Sequence, residues 1–261
     1  MRTTAIMNLK GGTGKTVTAI NTAAILASDY SLRVLLVDAD SQANLTEFVG
    51  RGPADGLTPG GTADLLRGLR AFPVPTKLQN VDLIHADETL MALDVTAAGN
   101  GAADPMALTD YLADNRLEWD WTVIDCPPAF SAGAAAALIA ADEVVIPLKL
   151  DAFGVRGLAN LLEQINNMRK LNAGLEIAGV LPTMCYPCEQ QRKAAADLKA
   201  SLARIGIRMF RPIRRSPKVD EMTFAQTPIA QFSPRSNPAR DYRDFVAALI
   251  ALKEGGEHGG L

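Results

Sequence analysis

The sequence predicts an α/β fold, a mainly parallel, twisted sheet flanked by helices, and three observations carry that expectation. Short runs rich in Val, Ile and Leu alternate with longer stretches of helical character. A glycine-rich turn, GGTGKT, joins the first of these runs to an Ala-rich helical stretch. Aspartates close two of the runs, in LLVDAD and WTVIDC, at the strand ends where open α/β sheets bind ligands.

The elements follow in order. A strand at Thr3–Asn8 stops at the glycines and hands over to a helix at Thr16–Ser28. The aliphatic run Arg33–Asp38 is the second strand, and the Gly/Pro-rich stretch Gly50–Gly61 reads as a loop before a helix at Thr62–Leu69. A strand at Val81–Ala86 precedes a helix at Pro105–Asn115, and the strand Trp121–Cys126 is stopped by two prolines. The Ala-rich helix Ala132–Ala141 leads to a strand at Glu143–Leu148, then a helix at Val155–Leu171 and a strand at Ile177–Thr183. A helix at Glu189–Ile205, a short strand near Ile207–Pro212 and a last helix at Pro238–Lys253 complete the series. Without internal repeats or a linker, residues 1–254 read as one domain, followed by a flexible tail, 255–261.

The chain has 261 residues, 48% hydrophobic and 21% charged, enough to bury a large core. No apolar run is long enough to span a bilayer, no leader pattern opens the chain, and the tail GGEHGGL has no apolar face, so a cytoplasmic protein is expected. Three cysteines, Cys126, Cys185 and Cys188, form no disulfide framework. Charge is segregated: Arg192 to Lys218 holds nine Lys/Arg and one acid, whereas Asp82 to Asp125 holds ten Asp/Glu and one base. A basic segment in an otherwise acidic chain suggests a surface facing a polyanion.

The turn between the first strand and helix has the make-up of a phosphate-binding loop. Gly11, Gly12, Thr13 and Gly14 let the backbone approach phosphate oxygens, Lys15 reaches the terminal phosphates and the Thr16 hydroxyl suits Mg²⁺, with Thr18 a further candidate contact. Asp125, at the end of WTVIDC, suits the Mg²⁺ shell. One residue departs from an ordinary loop, since Lys10 stands where the first glycine is expected.

On these residues the sequence resembles the deviant Walker A group of P-loop ATPases, which includes the ParA/Soj partition proteins and MinD. The resemblance implies that Lys10 crosses a dimer interface to the nucleotide of the other subunit, so that two copies sandwich ATP. It implies that Asp40, within DADSQANLT, positions the hydrolytic water, that Asp38 supports Mg²⁺, and that Cys126-Pro127-Pro128 with Gly133 form a second switch. Met184 and Pro212 fall where it places adenine contacts. The Gln42 and Asn44 pair, GVLPTM, IRRSPKVDEM and PIAQFSP resemble the ParA-like branch, here expected without an N-terminal helix-turn-helix extension.

That branch implies ATP-dependent, sequence-independent DNA binding and hydrolysis stimulated by a ParB-type partner, in segregation of a plasmid, chromosome or mobile element. It would make the protein nucleoid-associated. Arg192, Arg214, Arg215 and Lys218 are the candidate DNA contacts. The rival readings are a positioning ATPase for protein cargo and an Mrp-type iron–sulfur carrier using Cys185 and Cys188. Trp119 and Trp121 read as packing residues.

Overall fold

A computed structural model describes residues 1–51, 59–95 and 103–256. Its strands are β1 (Arg2–Ile6), β2 (Val34–Asp38), β3 (Val74–Pro75), β4 (Val81–Ile84), β5 (Trp121–Asp125), β6 (Glu143–Lys149) and β7 (Glu176–Thr183). They form one seven-stranded sheet in the order β3-β4-β2-β5-β1-β6-β7. Only the short edge strand β3 runs antiparallel to its neighbour. The helices are α1 (Lys15–Tyr30), α2 (Asn44–Val49), α3 (Thr62–Leu66), α4 (Thr89–Val95), α5 (Ala107–Asp114), α6 (Ala132–Ala140), α7 (Ala152–Met168), α8 (Glu189–Arg204), α9 (Pro217–Phe224), α10 (Ile229–Phe232) and α11 (Asn237–Gly256).

Successive residues of a strand face opposite sides of a sheet, and here both sides are dry, which is why the strands read as unbroken apolar runs. Leu35 and Val37 of β2 enter one apolar layer and Val34 and Leu36 the other; Ile124 and Val123 of β5, and Val144 and Val145 of β6, divide in the same way. The first layer is closed by residues such as Leu112, Leu138, Ile165 and Leu202 from α5 to α8. The second is closed by α1 and α11 through Ile20, Leu26, Phe245 and Leu249. The two indoles pack as the sequence indicates: Trp121 donates to Thr4 Oγ1 at 3.0 Å and Trp119 to Asp82 at 3.0 Å.

Six of the expected strands are present with small shifts at their ends, but the seventh, Ile207–Pro212, is not a regular strand. Met209 and Arg214 make only isolated bridges to β7 and Cys185. The bonds Phe210 N to Val180 O and Ile213 N to Pro182 O survive at 2.9 and 2.8 Å, while neither Pro182 nor Pro212 has an N–H to donate between them. The expected helix Thr62–Leu69 stops at Leu66, just before Gly68 in a left-handed conformation at φ 77°.

Helices α2, α4, α9 and α10 are additions to the sequence reading. The start of α9 carries a signal that was there to be read, Ser216 capping the helix and Pro217 in its first turn. Most of the expected loop Gly50–Gly61 and the end of the expected tail lie outside the described residues. No described helix is long and apolar enough to cross a membrane.

Strand β7 contains one position that only glycine fits. Gly179 has φ +153°, and a Cβ there would lie 2.8 Å from both Arg208 O and the Phe210 ring. Gly179→Ala is expected to lower unfolding stability by about 1–3 kcal/mol, read as a shifted urea midpoint at unchanged slope; an unshifted midpoint would show that the backbone relaxes there.

Candidate functional site

The site lies at the C-terminal end of the sheet, where parallel strands deliver their loops to one edge. Gly12 and Gly14 have φ 69° and 83°, left-handed conformations that let the loop after β1 coil back on itself before α1 begins at Lys15. Gly14 caps α1 with no side chain, so the first N–H groups of α1 remain directed at the loop. The loop is pinned from both flanks: Asn8 Oδ1 accepts from Lys10 N at 2.9 Å, and Thr183 Oγ1 donates to Thr13 O at 2.8 Å.

The two lysines have different surroundings. Lys15 is buried, with Nζ 3.4 Å from Lys10 O, and burial lowers its pKa against the opposing pull of Asp125, Cys126 and Asp40. Lys10 reaches outward to Asp151, its Nζ donating to both carboxylate oxygens at 2.8 and 2.9 Å, with both side chains about one-third exposed.

Three carboxylates stand beside the loop. Strand register sets Asp38 opposite Asp125, and Ile6 opposite Asp125 on the other side, so both acids flank the start of the phosphate loop. Asp38 is fully buried and engaged: Oδ2 accepts from Thr46 N and Oγ1 at 2.9 and 2.7 Å, and Oδ1 from Asp40 N at 3.2 Å. Burial pushes its pKa up to about 6 despite these bonds. Asp38 therefore ties the segment after β2 to α2.

Asp125 is different. Burial, and then the nearby Asp38, hold its pKa well above the usual carboxylate range, while a hydrogen bond from the Thr16 side chain opposes them. Its Oδ1 is buried with no hydrogen-bond partner. An acceptor left unpaired beside a threonine hydroxyl fits a divalent cation, which would satisfy that oxygen and neutralise the local excess of negative charge. Among the described residues no group of three or more His, Cys, Asp and Glu forms a metal site. Mg²⁺ suits such a place, since it takes few protein ligands beside substrate phosphates and water.

Asp40 is 9% exposed at the edge of this cluster, accepting from Gln42 N at 3.1 Å. The segment carrying it touches α6 closely, because a Cβ on Gly133 would lie 2.6 Å from Ala39 O. The stretch carrying Asp40 and the one read as the second switch thus approach closely at Ala39 and Gly133. Thr18 is fully buried, its hydroxyl 3.4 Å from the Tyr242 hydroxyl, so it contacts α11.

Beyond Gly14 the loop borders a cavity of about 120 Å³ lined by Val17, Met184, Ile213, Val219 and Tyr242, with Arg214, Arg215 and Asp220 among its polar members. Met184 lines this cavity, whereas Pro212 is exposed and outside the lining, which its neighbour Ile213 joins instead. Tyr242 comes from α11, far along the chain and without a local motif to mark it.

The four basic candidates divide. Arg192, in the first turn of α8, is exposed, and Lys218 pairs with Glu221 at 2.5 Å on the surface of α9. Arg214 is committed to Asp241 through Nε at 2.9 Å and Nη2 at 2.6 Å, and Arg215 lies beside it on the cavity. The cysteine pair also has local duties: Cys188 Sγ caps α8 by accepting from Gln191 N at 3.4 Å, and Cys185 is buried, its thiol pushed up to about 11 chiefly by burial. Neither feature favours the thiolates that an iron–sulfur cluster needs.

A strand–glycine loop–helix unit with a buried lysine, a threonine and an unpaired strand-end aspartate defines a P-loop nucleotide-binding protein, and the added lysine narrows the class to the deviant Walker A ATPases. The family model described as an AAA domain matches residues 1–177. The chromosome-partitioning ATPase Soj of Thermus thermophilus is 34% identical over 254 residues, covering 96% of each chain. The chromosome partitioning protein ParA of Caulobacter vibrioides is 38% identical over 190 residues, 70% of each chain. Among solved structures, the cobyrinic acid a,c-diamide synthase of Mycobacterium smegmatis with bound ADP and magnesium is 28% identical, with a TM-score of 0.81 over 98% of this chain and 96% of that one. The chain belongs to the ParA/Soj family of P-loop ATPases.

Contact between Gly133 and Ala39 should matter to turnover more than to binding. In Gly133→Ala the added methyl must displace the Ala39–Asp40 segment, so hydrolysis should fall about 10²-fold while fluorescent ATP-analogue binding stays near wild type. Unchanged turnover would show that this contact does not set the position of Asp40.

Proposed function

We propose that this is a partition ATPase acting as one domain, residues 1–254, which dimerises around ATP and binds DNA without sequence preference in that state. A ParB-type partner would stimulate hydrolysis and so release the DNA, moving a plasmid, chromosome or mobile element; in the ATP state the protein would sit on the nucleoid. The observation that carries this reading is the divergence of the two loop lysines, one buried in the loop and one directed outward to Asp151. An outward cation at the mouth of a nucleotide loop suits a phosphate held by a second copy. The names of the Soj and ParA relatives support the partition role.

The residues have separable tasks in this reading. Loop N–H groups from Gly11 to Gly14 and the start of α1 hold the phosphates, and Lys15 offsets charge that develops on the γ-phosphoryl oxygens. Thr16 and Asp125 would hold Mg²⁺, which would neutralise phosphate charge when bound, with Asp38 supporting from behind. Asp40 would orient the attacking water, and Lys10, after leaving Asp151, would add charge from the partner subunit. DNA phosphates would meet Arg192 and Lys218, with Arg215 at the border between DNA and nucleotide.

Three variants test this assignment. Lys15→Ala should abolish ATP binding, whereas Asp40→Ala should keep an ATP-bound dimer with hydrolysis about 10²–10⁴-fold slower; a fully active Asp40→Ala enzyme would remove its role. Lys10→Ala should bind ATP yet stay monomeric by light scattering, and an ATP-dependent dimer in that variant would refute the sandwich.

Binding to a non-specific duplex with ATP, ADP or no nucleotide, titrated against salt, tests the DNA step. Strong binding with ATP alone is expected, and Arg192→Ala should flatten the log–log salt dependence by about one unit. No binding in any state would replace DNA by a protein cargo.

A further inference from the structure

Arg214 reads from sequence as a DNA contact, but its geometry describes something else. Its backbone N donates to Asp241 Oδ2 at 2.9 Å, Nε donates to the same oxygen at 2.9 Å, and Nη2 donates to Oδ1 at 2.6 Å. The Asp241 side chain is 10% exposed and that of Arg214 47%. Asp241 thus fixes both main chain and side chain of one arginine, and leaves that guanidinium its flat faces and Nη1. Its neighbour Tyr242 lines the same cavity as Arg214, so α11 contributes a carboxylate that orients the wall and a ring that forms it.

The segment bearing Arg214 is held from the other side as well. Cys185 N donates to Ile213 O at 3.0 Å and Arg215 N to Cys185 O at 2.7 Å, a parallel bridge that sets Arg214 beside the turn containing Met184. Met184 has φ 54°, and its methyl would lie 3.8 Å from a Cβ on Gly14. Cavity, phosphate loop and clamp are therefore contiguous: Gly14, apolar Val17, Met184, Ile213 and Val219, and the clamped Arg214 all line the cavity. Apolar surfaces with a planar cation suit a flat, π-rich ring, because a guanidinium stacks on aromatic faces and loses little entropy when pre-oriented.

We infer that Arg214, held by Asp241, is a positioning residue for the purine base of the bound nucleotide, stacking its guanidinium plane on the ring, rather than a contact to DNA. The inference rests on the proposed reading that nucleotide phosphates occupy the loop from Lys10 to Thr16. It makes α11 a part of the nucleotide site. It also means that substituting Arg214 disturbs DNA binding through nucleotide occupancy, so a DNA test built on Arg214 would misassign the surface.

The test is equilibrium binding of a fluorescent ATP analogue to the full chain, with competition by ATP and by inorganic tripolyphosphate, for wild type, Arg214→Ala, Arg214→Lys and Asp241→Asn. Both Arg214 variants should bind ATP about tenfold more weakly and tripolyphosphate as wild type does, because the lost contact is to the base. Lysine keeps the charge and lacks the plane, so full rescue by Arg214→Lys would overturn the stacking role. Asp241→Asn should give an intermediate loss; the exposed Arg214 variants decide the question if that substitution unfolds the chain, as a melting curve would show.

At saturating ATP, Arg214→Ala should bind duplex DNA with the wild-type salt dependence. Normal ATP affinity with weakened DNA binding would return Arg214 to the DNA surface and overturn the inference, as would equal losses for ATP and tripolyphosphate. A wild-type chain that binds no nucleotide would instead refute the ATPase reading itself.

Discussion

The site depends on the register of one strand. β5 lies between β1 and β2, and its pairing sets Asp125 level with Asp38 on one side and with Ile6, the last residue of β1, on the other. A shift of one residue would turn every side chain of β5 to the opposite face and take Asp125 away from Thr16 and Lys15. Burial of both faces forbids that shift, since Val123 and Ile124 fill separate cores. The hydrophobic effect, acting on aliphatic side chains, is therefore what places the carboxylates.

Such placement concentrates charge where water is scarce. Burial raises the pKa values of Asp38 and Asp125 and lowers that of Lys15, so each of these three groups is held at some cost in solvation. Asp38 recovers part of that cost through Thr46 and the Asp40 N–H, whereas Asp125 keeps one buried oxygen unpaired. The same burial that positions the acids makes the cluster receptive to a cation. Because the Asp38 partners belong to the segment carrying Asp40, charge at the strand ends and the conformation of that segment are mechanically linked. The close approach of Gly133 to Ala39 extends the link to α6.

Charge outside the cluster is arranged to a different end. The Lys10–Asp151 pair is partly exposed, and solvent screening weakens its attraction. Arg214, counted among one basic run in the sequence, is withdrawn from that run by Asp241. A basic stretch is thus divided by the fold into an exposed part on α8 and α9 and a part that borders the cavity beyond Gly14.

Much was legible in the sequence because its cause is local. Alternation and length of apolar runs marked six strands of the sheet, and glycines, lysine and threonine in one frame marked the loop, since backbone approach to phosphate demands those residue types at that spacing. The misses share a physical origin. The stretch Ile207–Pro212 has strand composition, but prolines on both sides of the would-be ladder remove the donors it needs, and only pairing with β7 reveals it.

Helix α2 is fastened by Asp38 to Thr46, eight residues apart, which no periodicity signals. Composition could count Arg214 as a positive charge but could not supply its partner, which lies 27 residues away on α11. Sequence by itself determined six of the seven strands, the phosphate loop and the residue types around it. Tertiary structure alone decided which charges are spent on one another and which remain for a ligand, because ion pairs and cavity walls form between segments that the chain keeps apart.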